Sequence, residues 1–142
     1  MKYEELMIGN YVFATGVDSE QRIAKIAELR GNCVFDSCYN VYYTESIDPI
    51  QITDDFLIKN GFDKQCIFEN IIECYEGVYE WEKEVDGYFV SFRHCANHKD
   101  CDWCVHIDNA DRDSVALVDI QYVHQLQNVM NILGIKLNLN IE

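Results

Sequence analysis

The N-terminal third of the chain carries short apolar runs that are separated by turn residues. Alternating or clustered apolar side chains at residues 8–13, 22–29, 33–35 and 40–44 predict β-strands. Gly31 lies in the turn between the second and third runs, and Pro49 forces Asp48 out of helical geometry after the last one. Residues 1–52 are therefore predicted to form a small SH3-like β-barrel or β-roll.

A short helix is predicted over residues 53–60. Thr53 offers an N-cap oxygen, and Asp54 lies in the first turn, where the helix dipole favours an anion. Gly61 fits the left-handed position after the last turn. We expect this helix to link the N-terminal module to the rest of the chain.

Two hairpins are predicted next, because Glu-Gly at 76–77 and Asp-Gly at 86–87 are two-residue turns between alternating runs. The first turn places Ile72 opposite Trp81, and the second places Trp81 opposite Phe92. Both registers therefore put Trp81 on one inner face. Further strands at residues 103–108 and 115–120 extend this predicted meander sheet.

The C-terminal part carries a helical apolar stripe followed by a strand-like alternation. The stripe consists of Val123, Leu126, Met130 and Leu133, and Gly134 is the expected stop. We expect this helix to cover the meander sheet. Residues 135–141 alternate apolar and polar side chains, which predicts a final edge strand.

These elements together predict an α+β protein. It has the SH3-like module at residues 1–52 and, at residues 53–142, a short linking helix and an antiparallel meander sheet covered by the C-terminal helix. The chain has 142 residues, of which 49% are hydrophobic, so the two parts are small enough to form one compact domain.

The charge balance restricts the classes of partner. A formal net charge of −14 argues against binding to nucleic acid, which depends on Lys and Arg. The chain contains no apolar run of membrane-spanning length, and the acidic N-terminal residues do not fit a signal peptide. We therefore expect a cytoplasmic protein whose seven cysteines are reduced thiols.

Three segments resemble a known family. They are Ile8-Gly9-Asn10-Tyr11-Val12, the run from Ile50-Gln51-Ile52-Thr53 through Leu57 to Asn60-Gly61-Phe62, and Tyr122-Val123-His124-Gln125-Leu126-Gln127-Asn128. Their order and spacing resemble a family of short uncharacterised proteins of gut anaerobe genomes and of their prophages and phages. The resemblance covers about a third of the chain and implies an order of elements and an accessory role in a phage or mobile element. It transfers no catalytic residue.

A cluster of cysteines and histidines is the densest candidate chemistry. Cys95, His98, Cys101 and Cys104 are spaced as ligands of a zinc ion could be, and His94 and His106 flank them. If Trp103 points inward, Cys104 and His106 point outward on one face. Zinc is therefore the one candidate cofactor, and the alternative is a set of ordinary reduced cysteines in a loop.

Alternate residues of one predicted strand carry carboxylates. Glu80, Glu82 and Glu84 share a face, and the predicted registers place Glu73 and Arg93 on either side of Glu80. Such a face is typical of a solvated surface that blocks aggregation. The alternative is a surface for a basic partner, as in an acidic DNA mimic.

Residues 121–135 contain no Asp, Glu, Lys or Arg, although a quarter of the whole chain is charged. His124, Gln125 and Asn128 therefore lie on a polar face that we expect to be covered. The cover is either the N-terminal module of the same chain, which we favour, or a second protein, including another copy in a homo-oligomer.

No catalytic constellation is recognisable, which favours a protein that is not an enzyme. The sequence therefore predicts a protein-binding or adaptor accessory of a phage or mobile element. A zinc-stabilised protein and an acidic DNA-mimic inhibitor are the two alternatives.

Overall fold

The structure is a computed structural model that describes residues 3–68, 78–94 and 103–141. It is an α+β protein with two five-stranded antiparallel sheets and few helices. The chain divides into two compact units. We call the described residues up to Ile52, with Tyr122–Gly134 and Ile141, the N-terminal unit, and the described residues of Thr53–Gln121, with Ile135–Asn140, the central unit.

The sheet of the N-terminal unit has the strand order β4-β3-β2-β1-β5. Its strands are β1 (Tyr11–Thr15), β2 (Gln21–Arg30), β3 (Cys33–Asp36), β4 (Val41–Tyr43) and β5 (Ile47–Asp48). A 3-10 turn at Thr44–Ser46 joins β4 to β5. The long strand β2 pairs with β1 through its first half and with β3 through its second half, and a register shift between Ile26 and Glu28 marks the change. The four predicted strands of this region are confirmed.

The helix α2 (Val123–Ile132) belongs to the N-terminal unit and contacts β1. The predicted stripe residues Val123, Leu126 and Met130 are buried, and Gly134 has the left-handed φ of 72° that lets the chain leave the helix. The predicted covering of the meander sheet by this helix is not confirmed, because the contacts of α2 place it in the N-terminal unit. Among the described residues, no helix is long and apolar enough to cross a membrane.

The helix α1 (Asp54–Lys59) begins and ends as its sequence predicts. The hydroxyl of Thr53 accepts a hydrogen bond from the Phe56 N–H at 3.1 Å. Gly61 has a φ of 76°, and the next residue, Phe62, donates its N–H to the Leu57 carbonyl at 3.0 Å. Both ends of this helix are therefore determined by local contacts.

The sheet of the central unit has the strand order β10-β9-β8-β7-β6. Its strands are β6 (Asp63–Phe68), β7 (Val78–Val85), β8 (Tyr88–His94), β9 (Trp103–Asp108) and β10 (Ser114–Ile120). The hairpin at Asp86 and Gly87 is confirmed, because Trp81 pairs with Phe92 and both turn residues have positive φ angles of 53° and 80°. Trp81 and Phe92 are both buried and therefore share the inner face, as the second hairpin register predicts.

The first predicted hairpin register is wrong. The partner of β7 is β6, which places Lys64 opposite Trp81 and Gln65 opposite Glu80, where Ile72 and Glu73 were predicted. The ammonium of Lys64 lies 4.8 Å from the Trp81 ring centre, so its aliphatic stem can cover the indole. The predicted turn at residues 76–77, and Glu73 itself, lie outside the described residues.

The predicted edge strand at residues 135–141 is also wrong. The segment keeps an alternation of burial, with Ile135 buried and Lys136 exposed, but it forms no strand. Side chains of the central unit hold it instead: Asn60 donates to the Asn140 carbonyl at 3.0 Å and accepts from its N–H at 2.6 Å. An extended segment can therefore show strand periodicity without joining a sheet.

Candidate functional site

The outer face of the central sheet, opposite the side that carries Trp81 and Phe92, is the surface on which most candidate residues lie. Side chains alternate between the two faces of a strand, so the register fixes the rows on this outer face. One row is Gln65, Glu80, Arg93, Cys104 and Asp119, and the next is Asp63, Glu82, Ser91, His106 and Leu117. The rows bring carboxylates, a guanidinium group, a thiol and an imidazole onto one surface.

Two of the three predicted acidic residues are balanced by arginines. The Arg93 guanidinium donates to Glu80 at 3.0 Å, as the predicted register allows. Arg112 donates to both oxygens of Glu82, at 2.6 and 3.2 Å. Glu84 is exposed on the same strand. The face is therefore less negative than the spacing of its glutamates indicates.

Arg112 is a site residue that sequence reasoning missed. Its guanidinium carbon lies 3.4 Å from the centre of the Phe89 ring, and its backbone has a φ of 65°. The hydrogen bond to Glu82, with the charges of Glu82 and Asp108, raises the pKa of Arg112. A single arginine among the aspartates of this turn was the one sign in the sequence that could have identified Arg112. The spacing of these residues along the chain does not show that the arginine reaches Glu82 on another strand.

The predicted zinc cluster is described only in part. Cys95, His98 and Cys101 lie outside the described residues. Cys104 lies on the outer face beside His106, whose Nε2 is 3.7 Å from the thiol sulfur, while Trp103 is buried on the other side.

The predicted outward direction of Cys104 and His106 is confirmed, whereas His94 stacks on Trp103 at 3.8 Å between ring centres. Within the part of the chain that the structure describes, no group of three or more suitable side chains could hold a metal ion.

The amides of α2 bond to the first residues of the same unit. Asn10, which is buried, donates to the Asn128 side chain at 2.9 Å, and Asn128 donates to the Glu5 carbonyl at 2.8 Å. Gln127 accepts the Tyr11 N–H at 2.9 Å. These contacts support the alternative in which the N-terminal module covers the charge-free helix.

Gln125, a further predicted partner-binding residue, has a local role. Its side-chain oxygen accepts the Tyr122 N–H at 3.1 Å, which satisfies a free donor at the start of α2.

His124 is fully buried, and neither ring nitrogen has a hydrogen-bond partner among the residues that the structure describes. Its ring stacks on that of Tyr122, and its Nε2 lies 3.6 Å from a carboxylate oxygen of Glu5. Burial lowers the pKa of His124, and the nearby Glu5 opposes this shift only in part. The imidazole is therefore neutral at neutral pH and serves as part of the core.

The strand β4 and the turn before it expose large apolar side chains that sequence reasoning also missed. Tyr39, Val41 and Tyr43 expose 84%, 50% and 65% of their surface. Asp36 holds this turn, because its carboxylate accepts the N–H groups of Cys38 and Asn40 at 2.8 and 2.9 Å. We call Tyr39, Val41 and Tyr43 the β4 surface.

Asp36 also accepts the hydroxyl of Tyr42, the buried neighbour of these residues, at 3.2 Å. Burial alone would raise the pKa of Asp36, but its hydrogen bonds lower it below the ordinary value. For Tyr42, burial and the adjacent Asp36 charge both raise the pKa. The carboxylate therefore stays ionised and keeps the turn, with Tyr39 at a φ of 62°, in one conformation.

Comparison with protein-family models, with curated proteins and with solved structures gives no match.

Proposed function

We propose that the protein is a non-enzymatic protein-binding or adaptor protein that acts as an accessory of a phage or mobile element. The observation that carries this proposal is the β4 surface, where Val41 and Tyr43 are exposed on the last strand of a sheet and Tyr39 is exposed in the turn before it. Tyrosine is enriched at protein interfaces, because it combines a large apolar ring with a polar end.

The arrangement of the N-terminal sheet supports an SH3-like assignment as part of this proposal. The strand order β4-β3-β2-β1-β5, the division of β2 between two sets of partners, and the 3-10 turn at Thr44–Ser46 are features expected of a small barrel of that kind. Such barrels are common carriers of binding sites, but the fold alone assigns no ligand.

Charge indicates the kind of partner that the β4 surface would accept. Glu45 is exposed beside Tyr43, and Asp36 is ionised beneath the turn. The nearest arginine along the chain, Arg30, is paired with Glu28 at 2.6 Å. A partner that offers apolar and basic side chains therefore fits this surface best.

The proposal is tested by comparing two double variants as baits in host lysate. Tyr39→Ser with Tyr43→Ser removes the exposed rings of the β4 surface, and Tyr79→Ser with Ile58→Ser is the matched control with exposed side chains in the central unit. We expect the wild type and the control to capture the same proteins and the β4 variant to lose them, at unchanged melting temperature. Equal capture by all three baits would refute the proposal.

A zinc-stabilised protein is the second candidate, and the 3.7 Å separation of the Cys104 sulfur and the His106 Nε2 favours it. These two atoms could supply half of a tetrahedral ligand set. Elemental analysis of protein purified without added metal should then find about one zinc per chain. Cys104→Ser should lose the metal while Cys33→Ser, in the N-terminal unit, keeps it; metal-free wild-type protein would exclude this function.

An acidic DNA-mimic inhibitor has less support. The net charge of −14 favours it, but Arg93 and Arg112 balance Glu80 and Glu82 on the outer face. The test is salt-sensitive binding to a basic nuclease or DNA-binding protein, weakened by Glu84→Gln.

A further inference from the structure

We propose that the open edge of the central sheet, strand β10, binds an extended basic segment of a partner protein by strand addition. The inference rests on the proposed binding function and adds to it a second surface, the backbone chemistry of recognition and the side-chain order of the partner. In this mode, main-chain hydrogen bonds supply affinity and alternate side chains supply specificity.

The first observation that favours strand addition is the position of β10 at the edge of the central sheet. The strand is last in the sheet order and, within residues 3–68, 78–94 and 103–141, pairs only with β9, so one side of its backbone faces away from the described strands. Natural proteins usually protect such an edge with lysine, proline or a very short strand. Ser114–Ile120 has seven residues, contains neither lysine nor proline, and exposes Val115 and Leu117. A register shift between Ser114 and Ala116 confines the regular pairing with β9 to Ala116–Ile120, which is the part available for an added strand.

The opposite edge of the same sheet provides an internal contrast. Strand β6 carries Lys64, whose ammonium lies 4.4 Å from the Tyr79 ring centre and 4.8 Å from that of Trp81. Lysine is among the residues with which natural proteins protect an edge strand, and β10 carries none. The two edges of one sheet therefore differ in their charged residues, because β6 carries Lys64 and β10 carries Asp119.

The second observation that favours a basic partner is the negative charge on and next to β10. Asp119 follows Leu117 on the outer face and Asp113 precedes the strand; both are exposed, and neither belongs to an ion pair found within the described residues. Arg112, the nearby cation, is occupied by Glu82. A second copy of this chain, with its net charge of −14, would be repelled, whereas a basic segment would be attracted.

The register also fixes the order of the partner's side chains. On the outer face, an aliphatic residue would lie opposite Leu117 and a lysine or arginine opposite Asp119. On the other face, Ala116 and Val118 are half-buried and call for aliphatic partners. The expected partner strand therefore carries one basic residue next to three aliphatic residues, within a segment that is basic at its ends.

The probe is an acetylated ten-residue peptide with Arg-Val-Val-Val at its centre and lysines at both ends, titrated into the full ¹⁵N-labelled chain. We expect amide shifts concentrated in β10 and loss of binding when alternate peptide nitrogens are methylated, because methylation removes the backbone donors and keeps the charge. Leu117→Lys and Asp119→Asn should each weaken binding about tenfold. The control Ile132→Lys, an exposed apolar site on α2, should leave it unchanged.

Other outcomes would overturn the inference in distinguishable ways. Equal binding of the methylated peptide would show charge attraction without strand addition. Shifts confined to the β4 surface would place the partner there and leave the proposed function intact. Self-association of the wild type that Leu117→Lys abolishes would identify a second copy as the occupant. No binding at all would refute strand addition. The lysate experiment with the double variant Tyr39→Ser and Tyr43→Ser would then still test the proposed binding function.

Discussion

The two units hold their polar groups together in different ways. In the N-terminal unit, uncharged amides join residues far apart in the chain: Asn128 bonds to both Asn10 and the Glu5 carbonyl. In the central unit, the outer face of the sheet is joined by ion pairs, Arg93 with Glu80 and Arg112 with Glu82. The polar contacts between α2 and the start of the chain are thus made by amides, whereas those on the outer face of the central sheet are made by charged groups.

Burial explains the difference. A charge is costly to remove from water, whereas an amide can be buried if its donors and acceptors are bonded. Asn10 is buried, whereas the guanidinium groups of Arg93 and Arg112 keep 41% and 52% of their side-chain surface exposed. Loss of an amide should therefore be costly and insensitive to salt, and loss of an ion pair should be mild and salt-dependent.

The largest expected effect is that of Asn128→Arg. The variant places a charge beside buried groups and leaves the Asn10 side chain and the Glu5 carbonyl without their partner. We expect a loss of about 3 kcal/mol in the free energy of unfolding, measured by urea denaturation. The control is Asn131→Arg, at an exposed position of the same helix, which should change stability by less than about 0.5 kcal/mol. Equal stability of the two variants would contradict the amide model.

A smaller effect is expected from Asn60→Ala, which tests whether the central unit also depends on an amide. Asn60 is buried and exchanges two hydrogen bonds with the backbone of Asn140. Its loss should cost about 2 kcal/mol, whereas Asn138→Ala, at an exposed position of the same segment, should be nearly neutral. If Asn60→Ala is as mild as its control, residues 135–141 are held by other contacts, such as the hydrogen bond from the Lys136 N–H to the Asp86 carboxylate at 3.3 Å.

The third prediction concerns pH and the N-terminal unit. Because burial lowers the pKa of folded His124, the unfolded chain takes up the proton first as the pH falls through the ordinary value of about 6.5. Stability should therefore decrease below about pH 6.5, with a slope of at most about 1.4 kcal/mol per pH unit. His124→Phe, which keeps an aromatic ring beside Tyr122, should flatten the curve between pH 7 and 5.

The carboxylate of Glu5 faces His124 and offsets part of this effect. Glu5→Gln should therefore make the loss of stability between pH 7 and 5 steeper than in the wild type. Parallel curves for the wild type and His124→Phe would show that this histidine does not titrate in that range.

The parts of the fold that follow from neighbouring residues could be predicted from the sequence. The cap at Thr53, the left-handed Gly61 and the hairpin at residues 86–87 each depend on a few adjacent side chains. The pairing of β6 with β7 could not be predicted in the same way, because nine residues separate Phe68 from Val78 in the sequence. A register set over such a distance depends on packing and not on turn chemistry.

The candidate surfaces could likewise be predicted from the sequence only in part. The carboxylates of β7 and the outward direction of Cys104 follow from alternation along one strand. Tyr43 and Leu117 could not be recognised as exposed, since an apolar residue at an edge has the same sequence pattern as one in the core. Sequence periodicity identifies a face but does not show what covers it.

The smallest expected effect is that of the Arg93–Glu80 ion pair, measured with a double-mutant cycle of Arg93→Met and Glu80→Gln. The Glu80 side chain is mostly buried but Arg93 is 41% exposed, so solvent screening limits the coupling to about 0.5 kcal/mol. The coupling should shrink in 1 M salt, where the screening length is about 3 Å. The control is the cycle for Arg30 and Glu28, both more exposed, which should give almost no coupling. A salt-independent coupling above about 1.5 kcal/mol would mean that the central sheet depends on buried charge after all, and the contrast between the two units would fail.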